Sequence, residues 1–599
     1  MAQPVAVNDE TVVLDTIVVT PLRRAGSLAR STSSMIVIDR AEIERSAATD
    51  LQSLLTNYNG ITVNANGGMG AASSLTIRGM SSMQTVVLIN GVRTASATTG
   101  ATSLANIPLS AIERIEIAKG PHSAQYGADA IGGVVNVITR QGGLCGDKAY
   151  CGSVSAGVLY PWGGYTSANL QGRSTDGVDY AIGAALIGTE GYDFTAPDYF
   201  GHEPDKDGFL QGSFNLALSK DFDWGKIYAD GLLSRSRIRY DNSYPYRNEA
   251  YATAFTGKVG TRIDHSEDWS STVEFSTGLD HSRDFRKGVP GFDRFQTVRT
   301  GLLATSTREF ETGKVSHSLT GGVEAYREQV NSTTAYDEKA RNLAAVYGQY
   351  SLEYEALTVD SGVRYDYNQQ FGDVVTYNLG ASYAILPDLV MRSSFGTGFR
   401  APTFNELYYP YFGNPDLQPE KSRSYEVGLN WKVTEATSLD LAVYQNRLKD
   451  AIISVAPTYL PYNIARAKVT GLEVELSHRF NERWSVRGSF EYKQPIDEDT
   501  GNDLAYRERV KAAGELSFKA LDSLDLTGRL RYGGSRYANA SNTEKLDPYV
   551  TADLVAVYSF DEQSKLKVSV ENLFDKDYQT VSGYVAPGRT INVGLTRNF

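Results

Sequence analysis

Four aspartates in the second quarter of the chain could together hold a metal ion. Asp193, the pair Asp205 and Asp207, and Asp241 each lie in a polar stretch between runs of alternating residues. A hard cation such as Ca²⁺ takes about six to eight oxygen ligands and would hold together carboxylates that otherwise repel one another. The spacing is not that of an EF-hand, because Phe209 stands at the fifth position counted from Asp205 and no glutamate stands at the twelfth. A solvated acidic loop without an ion is the alternative.

The cysteines and histidines do not form a catalytic or zinc-binding pattern. Cys145 and Cys151 lie in a Gly-rich segment without a nearby histidine, which disfavours zinc. A local disulfide is favoured, and it would imply an oxidising compartment. No set of nucleophile, histidine and carboxylate stands out, so we do not expect an enzyme. The six histidines are scattered without motif context: His122, His202, His265, His281, His317 and His478.

The composition indicates a sheet-rich protein. The 599 residues carry 58 Lys and Arg against 70 Asp and Glu, and the resulting net charge of −12 excludes nucleic acid as an expected partner. Tyr (37) and Gly (56) are abundant, as in strands joined by many turns. No stretch approaches the roughly 18 apolar residues of a membrane-spanning helix. Residues 1–4 lack the basic and apolar regions of a secretory signal, so we expect that any export signal has been removed.

The region from residue 33 to about residue 140 predicts a small α/β domain. Asp39 is placed to cap one short helix, and Thr49 or Asp50 is placed to cap a second one with leucines at helical spacing. Alternating and β-branched runs predict strands on either side of these turns. The predicted strands cover residues 35–38, 75–77, 86–89, 115–117 and 134–138.

After about Gly152 the pattern changes to alternation with a period of two. From Tyr425 to Trp431, for example, large apolar residues alternate with polar residues and glycine, which fits a sandwich facing water or a barrel facing lipid. About 450 residues of such strands favour a closed barrel, because an open sheet of that size would expose long edges. Short turns such as residues 481–483 and long loops such as residues 404–420 show the asymmetry of outer-membrane barrels.

Motifs in both parts of the chain carry a specific resemblance. Residues 77–79, 87–93 and 130–136, with residues 398–402 and 571–578 further on, resemble TonB-dependent outer-membrane receptors. The family implies an all-β membrane barrel of about 22 antiparallel strands whose lumen holds an α/β plug domain. It also divides the chain into an N-terminal extension (1–32), the plug (33–143) and the transmembrane barrel (144–599).

A short β-prone run precedes the plug. Taken alone, residues 14–20 predict either an ordinary edge strand or a strand offered to a partner's sheet. Placed before a plug and a barrel, the run resembles the TonB box of the family. This resemblance implies pairing with the TonB protein, which transmits energy from the inner-membrane proton gradient. The residues concerned are Leu14, Asp15, Thr16, Ile17, Val18, Val19 and Thr20.

Within the family, the chain resembles the members that import vitamin B12 (cobalamin), which implies cobalamin or a related corrinoid as the ligand. Ala71 departs from the pattern, because a polar glutamine stands there in those members. The resemblance implies structural calcium at Asp193, Asp205, Asp207, Tyr240 and Asp241. It implies ligand contacts at Asn66, Met69, Gly70, Ala71, Ser73, Thr98, Thr99, Tyr408, Tyr409 and Tyr411.

The resemblance also implies where the protein resides and what holds its plug. We expect a monomer in the outer membrane of a Gram-negative bacterium, in contact with outer-membrane lipid. Ion pairs between plug and barrel wall are implied for Arg78, Arg114, Glu426 and Glu473.

Three alternatives to cobalamin import remain open. The first is the same machinery carrying a siderophore, haem or another metal chelate, although haem is disfavoured because no histidine lies between Pro402 and Gly413. The second is a passive porin, against which the N-terminal domain of about a hundred residues argues. The third is a barrel enzyme, for which no catalytic set stands out.

Overall fold

The chain forms two units, an N-terminal α/β domain and a closed barrel that encloses it. The structure is a computed structural model, and it describes residues 17–20, 22–23, 26–241, 248–286, 289–455 and 459–599. Leu14, Asp15 and Thr16 of the predicted TonB box lie outside the described residues. The predicted fold class, an antiparallel barrel with a plug, is confirmed.

The plug is built around a five-stranded sheet in the order β3-β8-β9-β6-β7, in which β6 and β9 run parallel. Two further hairpins, β1-β2 and β4-β5, lie outside this sheet. The strands are β1 (Ile17–Val18), β2 (Gly26–Ser27), β3 (Met35–Asp39), β4 (Ile61–Ala65), β5 (Ser73–Ile77), β6 (Thr85–Ile89), β7 (Val92–Arg93), β8 (Ile112–Lys119) and β9 (Gly133–Thr139).

Short helices pack on this sheet where the sequence predicts them. The Asp39 side chain accepts from Glu42 N at 2.7 Å and caps α1, and Asp50 accepts from Ser53 N at 2.8 Å and caps α2. No helix in the described part of the chain has the length and apolar character needed to cross a membrane. The helices are α1 (Arg40–Arg45), α2 (Leu51–Leu55) and α3 (Ser123–Tyr126), with 3₁₀ turns at Ser82–Gln84, Leu104–Asn106 and Leu109–Ala111.

Twenty-two antiparallel strands form the barrel, which closes where β10 pairs with β33. A small hairpin of β29 (Arg536–Tyr537) and β30 (Lys545–Leu546) lies outside it. The barrel strands are β10 (Tyr150–Tyr160), β11 (Gly163–Arg173), β12 (Val178–Thr189), β13 (Phe209–Phe222), β14 (Gly225–Tyr240), β15 (Asn248–Ser266), β16 (Trp269–Arg286), β17 (Asp293–Thr312), β18 (Val315–Ser332), β19 (Ala340–Tyr354), β20 (Leu357–Asn368), β21 (Gly372–Leu386), β22 (Leu389–Arg400), β23 (Glu420–Thr434), β24 (Thr437–Val455), β25 (Leu460–Arg479), β26 (Trp484–Asp497), β27 (Val510–Leu521), β28 (Leu524–Gly533), β31 (Tyr549–Ser559), β32 (Ser564–Glu571) and β33 (Thr590–Asn598).

Strand alternation sorts side chains between lipid and lumen. On β23, Tyr425 and Val427 are exposed on the outer wall, whereas Glu426 between them is buried against the plug. Successive side chains of a strand point to opposite faces, so the apolar set meets lipid and the polar set meets the plug. The alternating pattern in the sequence therefore also identifies which acidic residues can reach the plug.

The two ends of the barrel differ in the length of their connections. Residues 223–224 and 313–314 make two-residue turns at the end where the plug sequence enters the first strand. Long loops lie at the other end, including residues 190–208 and 401–419. The second of these carries α4 (Phe404–Tyr408). This helix begins with a capping box formed by Thr403 and Glu406.

Candidate functional site

A buried ion-pair network fastens the plug to the barrel wall. The Arg78 guanidinium lies 3.0 Å from each carboxylate oxygen of Glu473, and its Nη1 lies 2.5 Å from Glu426 Oε2. The same guanidinium lies over the Tyr444 ring, 4.4 Å from its centroid. All four side chains are buried. Losing one partner of such a set would leave an uncompensated buried charge, so the network fixes how the plug docks.

Lys119 completes this network, and the sequence did not reveal its role. Its Nζ lies 2.9 Å from Glu473 Oε2, so one wall carboxylate receives two plug cations. On the wall itself, Arg392 lies 3.2 Å from Glu426 and 2.8 Å from Asp440. Alternation indicated which acids face inward, but it could not indicate which plug residue each would meet.

Arg114 does not make the ion pair to the wall that the resemblance implied. Its Nε lies 2.9 Å from Glu116 Oε1, two residues further along β8. Residues two apart on a strand share a face, and this is why the two side chains meet within the plug. Arg114 forms no ion pair with the described part of the barrel wall. Its prediction as a plug-to-wall residue is therefore corrected.

Glu116 instead holds the end of the N-terminal segment. Its Oε2 accepts hydrogen bonds from Val19 N at 2.9 Å, Thr20 N at 2.9 Å and Thr20 Oγ1 at 2.7 Å. The Tyr126 hydroxyl donates to Thr20 O at 2.9 Å. Glu116 and Thr20 are both 0% exposed. We call these four residues, Val19, Thr20, Glu116 and Tyr126, the latch.

The described part of the predicted TonB box is thus docked rather than extended into solvent. Ile17–Val18 forms β1 and pairs antiparallel with β2, and Val18 is only 2% exposed. Further along, Arg23 lies 3.5 Å from Glu324 of the wall and over the Tyr126 ring. The main-chain donors of Val19 and Thr20 are already used by the latch. A partner strand can pair with them only after the latch opens.

At the opposite end of the plug, the turn between β4 and β5 forms a first apex (residues 66–73). A barrel loop covers this turn. Gly67 (φ 125°) and Gly70 (φ 89°) adopt positive φ. A Cβ on Gly67 would overlap the Phe194 ring, and a Cβ on Gly70 would overlap the Phe209 ring. Backbone bonds close the turn at Asn66 (N to Ala72 O, 2.9 Å). The predicted ligand residues Asn66, Met69, Gly70, Ala71 and Ser73 all lie here, with Gly70 and Ala71 buried.

A second apex (residues 96–101) lies under the loop that carries α4. Phe404 N donates to Ala97 O at 3.1 Å, and Asn405 N donates to Thr98 O at 3.2 Å. Thr98 is buried and Thr99 is exposed. The three predicted tyrosines are separated by this arrangement. Tyr408 and Tyr409 pack on the apolar cluster around Ala97, whereas Tyr411 is 94% exposed.

The loop between β12 and β13 and Asp241, which follows β14, bring together a set of possible metal ligands. Asp193, His202 and Asp241 each offer a ligand atom within 4.8 Å of the other two, and Glu203, Asp205 and Asp241 form a second such group. His202 Nδ1 lies 3.5 Å from Asp193 Oδ1. Two predicted acids, Asp193 and Asp205, therefore each lie close to a third, Asp241. His202 and Glu203 were missed, because neither type stood in a motif.

The other two predicted calcium ligands are placed differently. Asp207 Oδ2 accepts from Phe194 N at 3.0 Å, which ties it to the loop that covers the first apex. The Tyr240 hydroxyl donates to Asp284 Oδ1 of β16 at 2.9 Å, across the intervening strand β15. Neither belongs to the two groups of ligand atoms. Asp207 still lies near enough to Asp193, Asp205 and Asp241 to be affected by their charge.

The electrostatics of this loop suit a cation with oxygen ligands. Burial, together with repulsion from the three neighbouring aspartates, raises the pKa of Asp207 to about 7. Burial also raises the pKa of Asp193. A hard cation would relieve this repulsion, and the carboxylates of Asp193, Asp205 and Asp241 fit Ca²⁺. The imidazole of His202 does not fit its preference for oxygen.

A cavity of about 320 Å³ lies between the plug and the opposite side of the wall. Met69 and Gly70 of the first apex line one part of it, and Arg40 and Glu44 of α1 line another. The wall contributes strands β10 to β13 and β31 to β33. The plug is therefore fastened by buried ions along β23 to β25 and is loosely packed across the lumen.

The cysteines lie where the plug leads into the barrel. Cys145 and Cys151 form a disulfide with Cα atoms 5.8 Å apart. Cys151 belongs to β10, the first barrel strand, and Cys145 to the segment before it. The bridge closes a small loop at the junction of the two units.

These features define the class of the protein: a barrel with a docked plug and an N-terminal segment held inside. Residues 27–134 match the family model of the TonB-dependent receptor plug domain, and residues 152–573 match the TonB dependent receptor-like β-barrel. The chain belongs to the family of TonB-dependent receptors, which are outer-membrane transporters of Gram-negative bacteria rather than enzymes.

Curated relatives and solved structures show which members of the family this chain is similar to. The vitamin B12 transporter BtuB of Photobacterium profundum is 31% identical over 98% of this chain and 96% of its own, and that of Vibrio vulnificus is 30% identical over 96% and 94%. The siderophore receptor PirA of Acinetobacter baumannii superposes with a TM-score of 0.81 at 19% identity over 94% of this chain and 98% of its own. A ferric enterobactin receptor of Pseudomonas aeruginosa superposes with a TM-score of 0.82 at 19% identity, over 95% of this chain and 100% of its own.

Proposed function

We propose that this protein imports cobalamin or a related corrinoid across the outer membrane, powered through TonB. The observation that supports cobalamin as the ligand is the full-length similarity to vitamin B12 transporters, at 31% and 30% identity. The solved siderophore receptors share the fold at 19% identity, which shows architecture alone.

The ligand is proposed to bind between the two apices and the loops that cover them. Tyr408 and Tyr409 supply flat apolar area beside the second apex, suited to a large planar ring system. Phe194 of loop 190–208 and Phe209, the first residue of β13, rest on the first apex. A ligand as large as a corrinoid must displace this cover, so loop movement accompanies binding.

A siderophore or another metal chelate is the second candidate, and Ala71 is the observation that favours it. Ala71 is buried and its backbone N donates to Gly68 O at 3.1 Å within the turn. It therefore offers no side-chain hydrogen bond to the amides of a corrin rim.

We propose that residues 14–20 are the TonB box and that the latch holds it in the resting state. Ligand binding at the apices would bias the plug toward releasing the segment, after which TonB pairs with its main chain. Force on this segment would then act on the plug. The loosely packed side beside the 320 Å³ cavity is where the plug yields most readily, because locally weak regions open well below global unfolding.

We propose that Ca²⁺ binds among Asp193, Asp205 and Asp241, with Asp207 beside them. The ion would tie the end of β14 to loop 190–208 and so order the cover of the first apex. No step of transport passes through the ion. Its effect on the ligand is indirect, through the position of the loop.

Calorimetry of the purified protein tests the ligand and the ion together. We expect cyanocobalamin to bind with and without added Ca²⁺, and to bind more tightly with it. An Asp193→Asn, Asp241→Asn variant should lose the effect of Ca²⁺, whereas Asp547→Asn, an acid outside this loop, should keep it. Absence of cyanocobalamin binding in both conditions, with binding of a ferric siderophore, would replace the ligand and leave the transporter class intact.

A further inference from the structure

Loop 190–208 contains a histidine that the proposed Ca²⁺ site does not use. His202 lies in a turn of this loop, where its backbone N donates to Tyr199 O at 3.2 Å. The His202 side chain is 17% exposed, but its Nδ1 atom is buried. Among the described residues this nitrogen has no hydrogen-bond partner. A buried polar atom without a partner is costly, so His202 Nδ1 points to a group that the protein itself does not supply.

The position of this nitrogen relative to Asp193 fits two ligands of one metal ion. His202 Nδ1 lies 3.5 Å from Asp193 Oδ1. This distance exceeds the roughly 2.7–3.2 Å of an N–H···O hydrogen bond. Zinc bonds of about 2.0–2.1 Å to nitrogen and oxygen place two tetrahedral ligands about 3.4 Å apart. The two atoms are therefore spaced as ligands of a shared ion and not as a hydrogen-bonded pair.

Asp241 supplies the third ligand atom. This atom lies within 4.8 Å of the ligand atoms of Asp193 and His202, and Asp241 is only 8% exposed. Asp241 directly follows β14, whereas the other two residues belong to the loop between β12 and β13. The three ligands thus come from two separate hairpins, and an ion bound among them would join these hairpins.

Thr195 orients both carboxylates of this group. Its Oγ1 donates to Asp241 Oδ2, and its backbone N donates to Asp193 Oδ1 at 3.3 Å. Glu203 N also donates to Asp241 Oδ2, at 3.0 Å. Carboxylates that bind metal ions are commonly hydrogen-bonded in this way, and these bonds fix their direction. Donors of loop 190–208 therefore already hold the two carboxylates in place for an ion.

We propose that Asp193, His202 and Asp241 bind a divalent transition-metal ion of the Zn²⁺ type. Imidazole nitrogen suits zinc, copper, iron and nickel, whereas calcium takes oxygen ligands. One imidazole and two carboxylates are a donor set that Zn²⁺ accepts. We call these three residues the imidazole site, because His202 distinguishes them from the proposed Ca²⁺ site.

The imidazole site shares Asp193 and Asp241 with the proposed Ca²⁺ site. The two ions therefore compete for these carboxylates. Either ion would hold the end of β14 against the loop that covers the first apex. The competition rests on the proposed Ca²⁺ site, whereas coordination of a transition metal by His202 does not.

Metal binding by the purified full-length protein, without a polyhistidine tag, tests this assignment. The probes are Zn²⁺ and Ca²⁺ in calorimetry and Co²⁺ in visible spectroscopy, each added after chelation and dialysis. The test variant is His202→Asn. The matched control is His281→Asn, which removes a histidine of β16 that belongs to neither group of ligand atoms. X-ray absorption of the Zn²⁺-loaded wild type reports directly whether an imidazole is bound.

We expect the wild type and the control to bind Zn²⁺ through an imidazole, and His202→Asn to bind it at least about tenfold more weakly. Ca²⁺ affinity and circular dichroism should be unchanged in both variants, because Ca²⁺ takes oxygen ligands. Equal Zn²⁺ affinity and equal Co²⁺ spectra in the wild type and His202→Asn would overturn the assignment.

Two further outcomes separate this site from the proposed Ca²⁺ site. Absence of Zn²⁺ binding with Ca²⁺ binding intact would show that His202 forms only an ion pair with Asp193, and would overturn the imidazole site. Binding of Zn²⁺ without binding of Ca²⁺ would support the imidazole site and refute the proposed Ca²⁺ site alone.

Discussion

Neutralising Glu116 should release the N-terminal segment in the absence of ligand. One oxygen of this buried carboxylate accepts three hydrogen bonds, from Val19 N, Thr20 N and Thr20 Oγ1, at 2.7–2.9 Å. Glu116→Gln keeps an acceptor of nearly the same shape and removes its charge. Charge-assisted bonds contribute about 1 kcal/mol more than neutral ones, and the three share one acceptor, so we expect a loss of about 1–3 kcal/mol. That loss corresponds to a rise of about 5- to 150-fold in the ratio of released to held segment.

Two measurements can detect this release. A spin label on Thr16→Cys should become mobile without ligand in the Glu116→Gln protein, and the periplasmic domain of TonB should bind that protein more tightly than the wild type. Glu113→Gln is the matched control, because it removes an acid three residues earlier on β8, whereas the main-chain donors of Val19 and Thr20 bind Glu116. Cyanocobalamin binding should be kept in both variants. Equal label mobility and equal TonB affinity in the wild type and Glu116→Gln would refute the latch.

Three further predictions concern the plug and the metal loop. Arg78→Met should lower the free energy of plug docking by about 3–5 kcal/mol, since it leaves Glu473 and Glu426 under-compensated, and limited proteolysis of the plug across a urea titration should show it. Replacement of the exposed Arg30 by glutamine should change this free energy by less than about 1 kcal/mol. Burial lowers the pKa of His122 to about 4. The free energy of unfolding should therefore fall by up to about 3 kcal/mol as the pH falls from 6.5 to 4, because the unfolded state binds the proton first. Thermal melts of His122→Asn should lack that part of the pH dependence. Removing Ca²⁺ with a chelator should speed proteolysis of loop 190–208 in the wild type and leave Asp241→Asn unaffected; equal cleavage rates in the wild type with and without chelator would contradict the proposed ion.

The sequence predicted most of the architecture because the relevant signals are local. Alternation along β23 identified both a lipid face and the lumen-facing Glu426, and Asp39 and Asp50 capped helices where capping residues are expected. These features depend on neighbours a few residues away, which a pattern can capture. The antiparallel barrel followed from the number of such strands and the cost of leaving an open edge.

The contacts between plug and wall could not be predicted in the same way. Arg78 and Glu473 are almost four hundred residues apart in sequence, and only the resemblance suggested that they meet. Arg114 was assigned to the wall although its partner stands two residues away on β8, because a shared charge pattern does not give the direction of a side chain. The sequence also did not identify His202, Glu203 and Lys119. Each reaches its site because of the path that a loop or a strand end takes, and no local sequence pattern specifies that path.

Uptake of labelled cyanocobalamin by cells that lack their own transporter tests the proposed function most directly. Cells with the wild-type chain should accumulate the label only when TonB is present. Cells with Val18→Pro should bind it at the surface and fail to import it, because proline removes a main-chain donor needed for pairing with TonB. Import that persists in the Val18→Pro cells, or in cells without TonB, would contradict energised transport through this segment.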